Sequence, residues 1–141
     1  MFRGAAALNL DAKGRLAVPS KHRDALQVQS GGRLVMTAHP HRCLLLYPQP
    51  AWVPIEEKIK SLPSFDPVAS SWKRLLLGHA EEFELDGSGR LLVPPVLREL
   101  AGLEKEVMLV GQGDYFELWS KEGWSKQMEQ AFAPGATLPP A

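Results

Sequence analysis

The chain has 141 residues, 45% of them hydrophobic, which is enough for one sizeable core or for two small cores packed together. Its formal net charge is zero, no apolar run reaches the roughly 18 residues that a membrane span needs, and the N-terminus lacks the apolar region of a secretory signal. These features exclude a membrane-spanning segment and predict a cytoplasmic protein. The single cysteine excludes an internal disulfide and agrees with a reducing compartment.

The charges are unevenly distributed along the chain. Residues 1–42 carry seven Lys or Arg against two Asp, a net +5, whereas the other 99 residues carry nine against fourteen acidic residues, a net −5. This division predicts a basic face that meets a polyanion and an acidic remainder that limits nonspecific binding. The alternative is that folding mixes these charges over one surface.

The first half of the chain predicts two strand pairs and three helices. Apolar alternation and turn residues indicate strands over 5–10, 15–18, 34–38 and 43–47, and helices over 20–26, 52–62 and 68–77. A turn over 11–14 joins the first two strands, and a Pro-containing loop over 63–67 precedes the third helix.

The second half predicts the same order of elements as residues 5–62. Its strands are expected over 82–85, 90–93, 107–110 and 115–119, with a short helix that begins at Pro95 and that Gly102 ends. We therefore expect four parts: a first domain with its following helix over 1–62, a linker and helix over 63–80, a second domain with a C-terminal helix over 81–132, and a disordered tail over 133–141.

The order recurs because the sequence is internally duplicated. The stretch from Asp11 to Pro19 returns as Asp86 to Pro94 with Asp, Gly, Arg, Leu, Val and Pro in register. Further downstream, three matches continue the echo: Arg23 with Arg98, Val35-Met36 with Val107-Met108, and Trp52 with Trp124. Four short strands alone would leave two exposed sheet edges, so each copy is expected to pair its strands with the other about an internal pseudo-two-fold axis.

The repeated turn combines three residue types with different roles. Asp at its head can accept hydrogen bonds from backbone N–H groups further along the turn, and Gly at its fourth place supplies a positive φ. Arg15 and Arg90 begin the return strands, where a turn has no need for a guanidinium. Each either forms an ion pair with Asp11 or Asp86 across the turn, or reaches a phosphate or a guanine edge bidentately.

Both copies resemble the Asp-x-x-x-Arg motif of the SpoVT/AbrB-like swapped-hairpin domain, and the duplication within one chain resembles the MraZ family. The resemblance covers nearly the whole chain up to the tail and is carried by four further stretches: Met1 to Gly4, Leu10 to Leu16, Leu62 to Asp66, and Gly102 to Val107. It implies a mainly β fold with short helices (α+β), a duplicated swapped-hairpin AbrB-like barrel with an internal pseudo-two-fold axis that assembles into rings.

The same resemblance implies a function. It implies a transcriptional regulator that binds double-stranded DNA sequence-specifically, as a homo-oligomeric ring on tandem direct repeats upstream of the division and cell-wall gene cluster. It also implies association with the nucleoid. Direct repeats suit a head-to-tail interface between subunits, and we expect a repeat spacing on the order of 10 bp.

The expected DNA-binding residues lie mainly in the first copy. Arg15 and Lys13 are expected to enter or flank the groove; Arg3, Lys21 and Arg23 to hold phosphates; and Asp11 and Gly14 to shape the turn. The second copy has Gly87 and Ser88 where the first has Ala12 and Lys13, and acidic residues lie nearby: Glu81, Glu82, Glu84 and Glu99. Arg90 is therefore expected to contribute less, with Asp86 and Gly89 shaping its turn.

Other features favour simpler interpretations. His39, His41 and Cys43 alternate, but no fourth metal ligand is evident, so a Pro-containing turn with incidental histidines is favoured over a metal site. The apolar stripes of Trp52, Ile55 and Ile59 and of Trp124, Met128 and Phe132 predict core packing, with a subunit interface as the alternative. No catalytic motif is found, and neither an enzyme nor a cofactor is expected. An antitoxin-type regulator or a protein-interaction scaffold remain alternative functions.

Overall fold

The computed structural model describes residues 1–135, in which eight strands and five helices form. The strands are β1 (Ala5–Asn9), β2 (Arg15–Ala17), β3 (Arg33–His39), β4 (Cys43–Pro48), β5 (Glu81–Glu84), β6 (Arg90–Leu92), β7 (Glu106–Gly111) and β8 (Phe116–Ser120). The helices are α1 (Ser20–Ser30), α2 (Gln49–Lys60), α3 (Pro67–Leu76), α4 (Pro95–Leu100) and α5 (Lys121–Ala131). Of the predicted tail over 133–141, the part from 136 onwards lies outside the described residues.

Strands of the two copies pair with each other, as the sequence predicts. β1 pairs with β7, β5 with β3, β2 with β6 and β4 with β8, all antiparallel. The pairs β3–β4 and β7–β8 lie within a single copy. The strands on either side of each Asp-x-x-x-Arg turn therefore form hydrogen bonds with strands of the other copy. This is the swapped arrangement, and it gives partners to strands that are too short to be stable alone.

An internal pseudo-two-fold axis relates the two copies. It passes near the pair Leu16↔Leu91, because Arg15 pairs with Leu92 and Ala17 pairs with Arg90. The axis also passes near the pair Leu45↔Glu117 of the β4–β8 ladder, because Leu44 pairs with Leu118 and Leu46 pairs with Phe116.

One predicted match between the copies is wrong by a residue. Val35 pairs with Tyr47 and Met108 pairs with Trp119, and Tyr47 and Trp119 both lie five residues before the matched tryptophans of α2 and α5. Val35 therefore corresponds to Met108 and not to Val107. The identical Val-Met pairs suggest an alignment that is one residue out of register. The second copy lacks three residues, and these are divided between the loop before β7 and the turn after it, whereas the sequence match places all three before β7.

The strand ladders do not show closure of the AbrB-like barrel that the family resemblance implies, within the part of the chain that the structure describes. Within residues 1–135, six strands form one sheet in the order β1-β7-β8-β4-β3-β5, and β2 and β6 form a separate two-stranded ribbon. Side chains from both sheets share the main core, in which Leu16, Leu91 and Phe116 are each no more than 1% exposed. The ribbon is thus anchored to the sheet by its inward-facing leucines.

The helices deviate modestly from the predicted bounds. α1 continues one turn beyond 26 to Ser30, where Gly31 adopts φ 63° and donates its N–H to Gln27. α2 begins at Gln49, three residues early, because Pro50 lies in the first turn, where no N–H is needed. α3 begins after Asp66, whose side chain accepts the N–H of Val68 at 3.2 Å.

Candidate nucleic-acid interface

The β2–β6 ribbon has one buried face and one outer face. Side chains alternate along a strand, so the burial of Leu16 and Leu91 turns their neighbours outward. The outward residues are Arg15, Ala17, Arg90 and Leu92, a set that we call the ribbon face.

The ribbon face brings the two repeated arginines together. Arg15 pairs with Leu92, and Arg90 stands two residues from Leu92 on the same strand, so Arg15 and Arg90 are diagonal neighbours. Such neighbours lie about 7–8 Å apart in an antiparallel pair, close enough for long side chains to act on one ligand. The acidic residues of the second copy predict a smaller role for Arg90, whereas the structure places it on the same surface as Arg15.

The first turn is organised by a single carboxylate. Asp11 Oδ1 accepts the backbone N–H groups of Lys13 at 2.9 Å and Arg15 at 2.8 Å, and Oδ2 accepts Arg15 Nε at 2.7 Å. Gly14, at φ 83°, donates its N–H to the Asp11 carbonyl at 2.9 Å. The Asp11 carboxylate thus binds the backbone of the turn, and Gly14 takes the positive φ at its fourth place.

The second turn repeats this arrangement. Asp86 Oδ1 accepts the N–H groups of Ser88 and Arg90, both at 2.9 Å, and Oδ2 accepts Arg90 Nε at 3.0 Å. Gly89, at φ 73°, donates its N–H to the Asp86 carbonyl at 2.9 Å.

Hydrogen bonding lowers the pKa of both carboxyls. The backbone N–H of Arg15, then its side chain and the N–H of Lys13, outweigh partial desolvation and lower the pKa of Asp11 to about 2. The N–H of Arg90, followed by that of Ser88, lowers the pKa of Asp86 in the same way. Both carboxylates are therefore fully charged at neutral pH and hold the arginines in place.

The ion pair with the turn carboxylate does not prevent either arginine from binding a second group. In each pair the donor is Nε, and the Arg15 and Arg90 side chains remain 32% and 37% exposed. A guanidinium has five N–H donors, so bonding through Nε leaves its outer Nη groups available to a phosphate or a base edge. The ion pairs therefore orient the two arginine side chains and leave their Nη groups able to form further hydrogen bonds.

The other predicted basic residues divide into two places. Lys13 is exposed at the tip of the first turn. Lys21 lies at the opposite end of β1, because a Cβ built on Gly4 would lie 3.6 Å from its Nζ, and the exposed Arg3 is next to Gly4. β1 is five residues long and separates the two places by about 17 Å at 3.3 Å per residue.

Arg23 lies under the second turn. Its Nη1 donates to the Ser88 carbonyl at 3.1 Å, and Gly89 is so close that a Cβ there would lie 2.8 Å from the same nitrogen. The side chain is half-buried against this turn, whereas the sequence predicts a phosphate contact for it.

Arg98, the counterpart of Arg23, is not among the site residues that the sequence predicts. Arg98 Nε donates to the Val93 carbonyl at 3.0 Å, and a Cβ on Gly14 would lie 2.6 Å from Arg98 Cζ. Each helix arginine thus supports the turn of the other copy. The match of Arg23 with Arg98 in the repeat was the available signal, although it does not reveal the exchange between copies.

Acidic residues flank the ribbon face at one end. Glu81, Glu82 and Glu84 are exposed on β5 and line a cleft together with Leu92, the ladder partner of Arg15. The corresponding strand β1 carries only uncharged residues, Ala5 to Asn9. The acidic strand therefore adjoins the end of the ribbon that carries Arg15, and not only the second turn.

The turn over 39–42 has no metal-binding geometry. Among residues 1–135 no three His, Cys, Asp or Glu side chains come together as a metal site. The His39 and His41 rings lie 4.8 Å apart, while Cys43 is buried, which raises its thiol pKa to about 12. The stripe of α2 is core, with Trp52 and Ile59 buried, whereas Phe132 at the end of the α5 stripe is exposed.

The helices of residues 1–135 are all too short or too polar to cross a bilayer.

Comparison with known proteins agrees with the duplicated fold. The family model described as "MraZ protein, putative antitoxin-like" matches the chain twice, over residues 1–75 and 76–137. The protein named Transcriptional regulator MraZ from Methylobacillus flagellatus is 68% identical over 133 residues, covering 94% of this chain and 90% of the relative. Proteins with the same name from Dechloromonas aromatica and Azoarcus sp. (strain BH72) are 59% and 60% identical, over 99% and 94% of this chain and 95% and 90% of their own lengths. The chain belongs to the MraZ family.

Proposed function

We propose that this chain is a transcriptional regulator that binds double-stranded DNA sequence-specifically through the ribbon face. The observation that carries the proposal is the placement of Arg15 and Arg90 as diagonal neighbours on the outer face of one two-stranded ribbon. The names of its relatives support the regulatory role.

The shape of the ribbon suits the major groove. That groove is about 12 Å wide and admits a two-stranded β-ribbon. An arginine fork bonds bidentately to guanine O6 and N7, and the Asp11 and Asp86 carboxylates hold the two forks in a fixed orientation. Lys13 at the turn tip, and Lys21 and Arg3 about 17 Å away, then flank the groove as phosphate contacts.

One subunit offers few cationic contacts, so we propose that high affinity for DNA arises from the joint binding of several subunits. In a homo-oligomeric ring on tandem direct repeats, binding of one subunit raises the effective concentration of the next. Exposed apolar side chains in and before α3 favour self-association: Phe65 is 102% exposed, Val68 66% and Trp72 47%. Head-to-tail contacts give neighbouring subunits the same orientation on DNA, with repeats on the order of 10 bp apart.

The proposed targets are the direct repeats upstream of the division and cell-wall gene cluster, in a chain that acts in the cytoplasm at the nucleoid. The test compares the wild-type and Arg15→Ala proteins on DNA from upstream of the chain's own gene, against a scrambled competitor, with light scattering reporting oligomer mass. Arg42→Asn is the matched control, because it removes an exposed guanidinium at a turn of φ 64° that Asn tolerates.

Selective binding that Arg15→Ala loses at unchanged mass, and that Arg42→Asn retains, supports the proposal. Equal binding of both DNAs by the wild type contradicts it. The antitoxin-like description of the family would then direct the search to a protein partner.

A further inference from the structure

The pseudo-two-fold symmetry of the ribbon face is broken at one pair of positions. The axis exchanges Arg15 with Arg90, which are identical, and Ala17 with Leu92, which are not. Leu92 is 52% exposed, although its neighbours Leu91 and Val93 are buried. We propose, on the basis of the proposed function, that Leu92 packs against the 5-methyl group of a thymine and so gives the ribbon face a direction on DNA.

The chemistry of the groove supports this assignment. Leu92 lies beside Arg15 in the ladder and two residues from Arg90, so an arginine that enters the major groove carries Leu92 in with it. The thymine methyl is the apolar group that the four bases present there, and the other edges are hydrogen-bonding. A half-exposed leucine between two guanidiniums has no hydrogen bond to offer, so the methyl is its matching partner.

The asymmetry has a consequence for the operator. A ribbon with identical ends would read a site equally well in either direction. With Leu at one end and Ala at the other, one orientation buries the methyl against a large side chain and the reverse does not. The acidic cleft beyond Leu92, absent from the uncharged β1 at the other end, makes the ends differ in charge as well. Direct repeats are then favoured over inverted ones.

The test asks whether the Leu92 side chain and one thymine methyl group contribute to the same contact. In the best site that the wild-type protein selects from the upstream fragment, each thymine is replaced in turn by uracil, which lacks only the 5-methyl. We expect one uracil position per repeat to weaken wild-type binding by about fourfold, the value of exposing one methyl-sized group. Leu92→Ala should be insensitive to uracil at that position and normally sensitive elsewhere.

Two further variants complete the design. Val28→Ala removes methyl groups from an 88% exposed side chain on α1, away from the ribbon, and should keep the wild-type uracil pattern. Ala17→Leu makes the ribbon symmetric and should reduce the preference for a direct over an inverted arrangement of two repeats. Unchanged oligomer mass and thermal midpoint establish that each variant is folded.

The outcomes separate the inference from the function on which it rests. If the wild type selects its site but every uracil acts equally on the wild type and Leu92→Ala, the assignment of Leu92 is wrong and the proposed function stands. If the wild type selects no site, both are wrong.

Discussion

Arg23 of the first copy supports Gly89 of the second: Arg23 Nη1 donates to the Ser88 carbonyl at 3.1 Å, and a Cβ on Gly89 would lie 2.8 Å from the same nitrogen. Arg98 approaches Gly14 in the same way, since a Cβ there would lie 2.6 Å from Arg98 Cζ, although its Nε donates to the Val93 carbonyl of its own copy. The helix of each copy thus fixes the arginine-bearing turn of the other, so neither turn is a property of one copy alone.

Gly89→Ala should destabilise the protein more than a positive φ by itself explains. The left-handed conformation costs an alanine about 1–2 kcal/mol, and the contact with Arg23 adds about 1–3 kcal/mol of overpacking. Chemical unfolding measures the difference. Gly31→Ala is the matched control, because Gly31 has φ 63° but no neighbour within 4 Å of a Cβ.

The double variant Gly89→Ala/Arg23→Ala isolates the contact. Truncating Arg23 removes the clash, so we expect the double variant to lose less stability than the two single losses combined. Strict additivity, or an equal loss in Gly31→Ala and Gly89→Ala, would show that the arginine does not confine the glycine.

Arg90→Ala should weaken operator binding about as much as Arg15→Ala does. Both guanidiniums project from the ribbon face, and a bidentate arginine–guanine pair contributes about 1–3 kcal/mol, or roughly 5- to 150-fold in affinity. Titration of each variant against the upstream fragment decides the point. A large loss for Arg15→Ala beside an unchanged Arg90→Ala would restore the first copy as the main DNA face.

Lys13→Ala should affect all DNA sequences alike. Its exposed position at the turn tip suits a phosphate contact, so we expect weaker binding to specific and scrambled fragments and a salt slope smaller by about 1. The slope of log affinity against log salt is the measurement. A loss confined to the specific fragment would instead make Lys13 a base contact.

The Asp11 carboxyl should titrate near its lowered pKa of about 2, below the ordinary 3.8. Because the folded pKa is lowered, the charged carboxylate stabilises the turn fully above about 4, and that contribution is lost as the pH falls through about 2. Carboxyl NMR titration of the folded protein measures this. Arg15→Ala should raise the midpoint only partly, because the backbone N–H of residue 15 remains. A wild-type midpoint at or above 3.8 would contradict the hydrogen-bonded turn.

His22 should make the protein less stable in mild acid. Burial, followed by the charge of Lys21, lowers its pKa below 6.5, and its ring packs against Phe116 with centroids 4.9 Å apart. The unfolded chain then binds a proton more readily, so stability declines as the pH falls below about 6.5. His22→Phe removes this titration and keeps an aromatic ring. Thermal midpoints at pH 7.5 and 5.5 should differ less in the variant than in the wild type, and equal differences would exclude His22 as the source.

The sequence by itself determined the duplication, the two Asp-x-x-x-Arg turns and the family. These features are local: the Asp, Gly and Arg of each turn lie within five residues, and their hydrogen bonds span two to four positions. The exchange of strands between copies was also predictable, because four short strands leave two edges that require partners.

Only the tertiary structure decided which residues share a surface. The neighbourhood of Arg15 and Arg90, the outward direction of Leu92 and the support of Gly89 by Arg23 all depend on pairing between copies, and the Arg23–Ser88 bond spans 65 residues. Periodicity reports which residues of one strand face the same way, but it carries no information on the register against a distant strand. The β2–β6 register, set by the burial of Leu16 against Leu91, brings the arginines of the two repeated motifs together on the ribbon face.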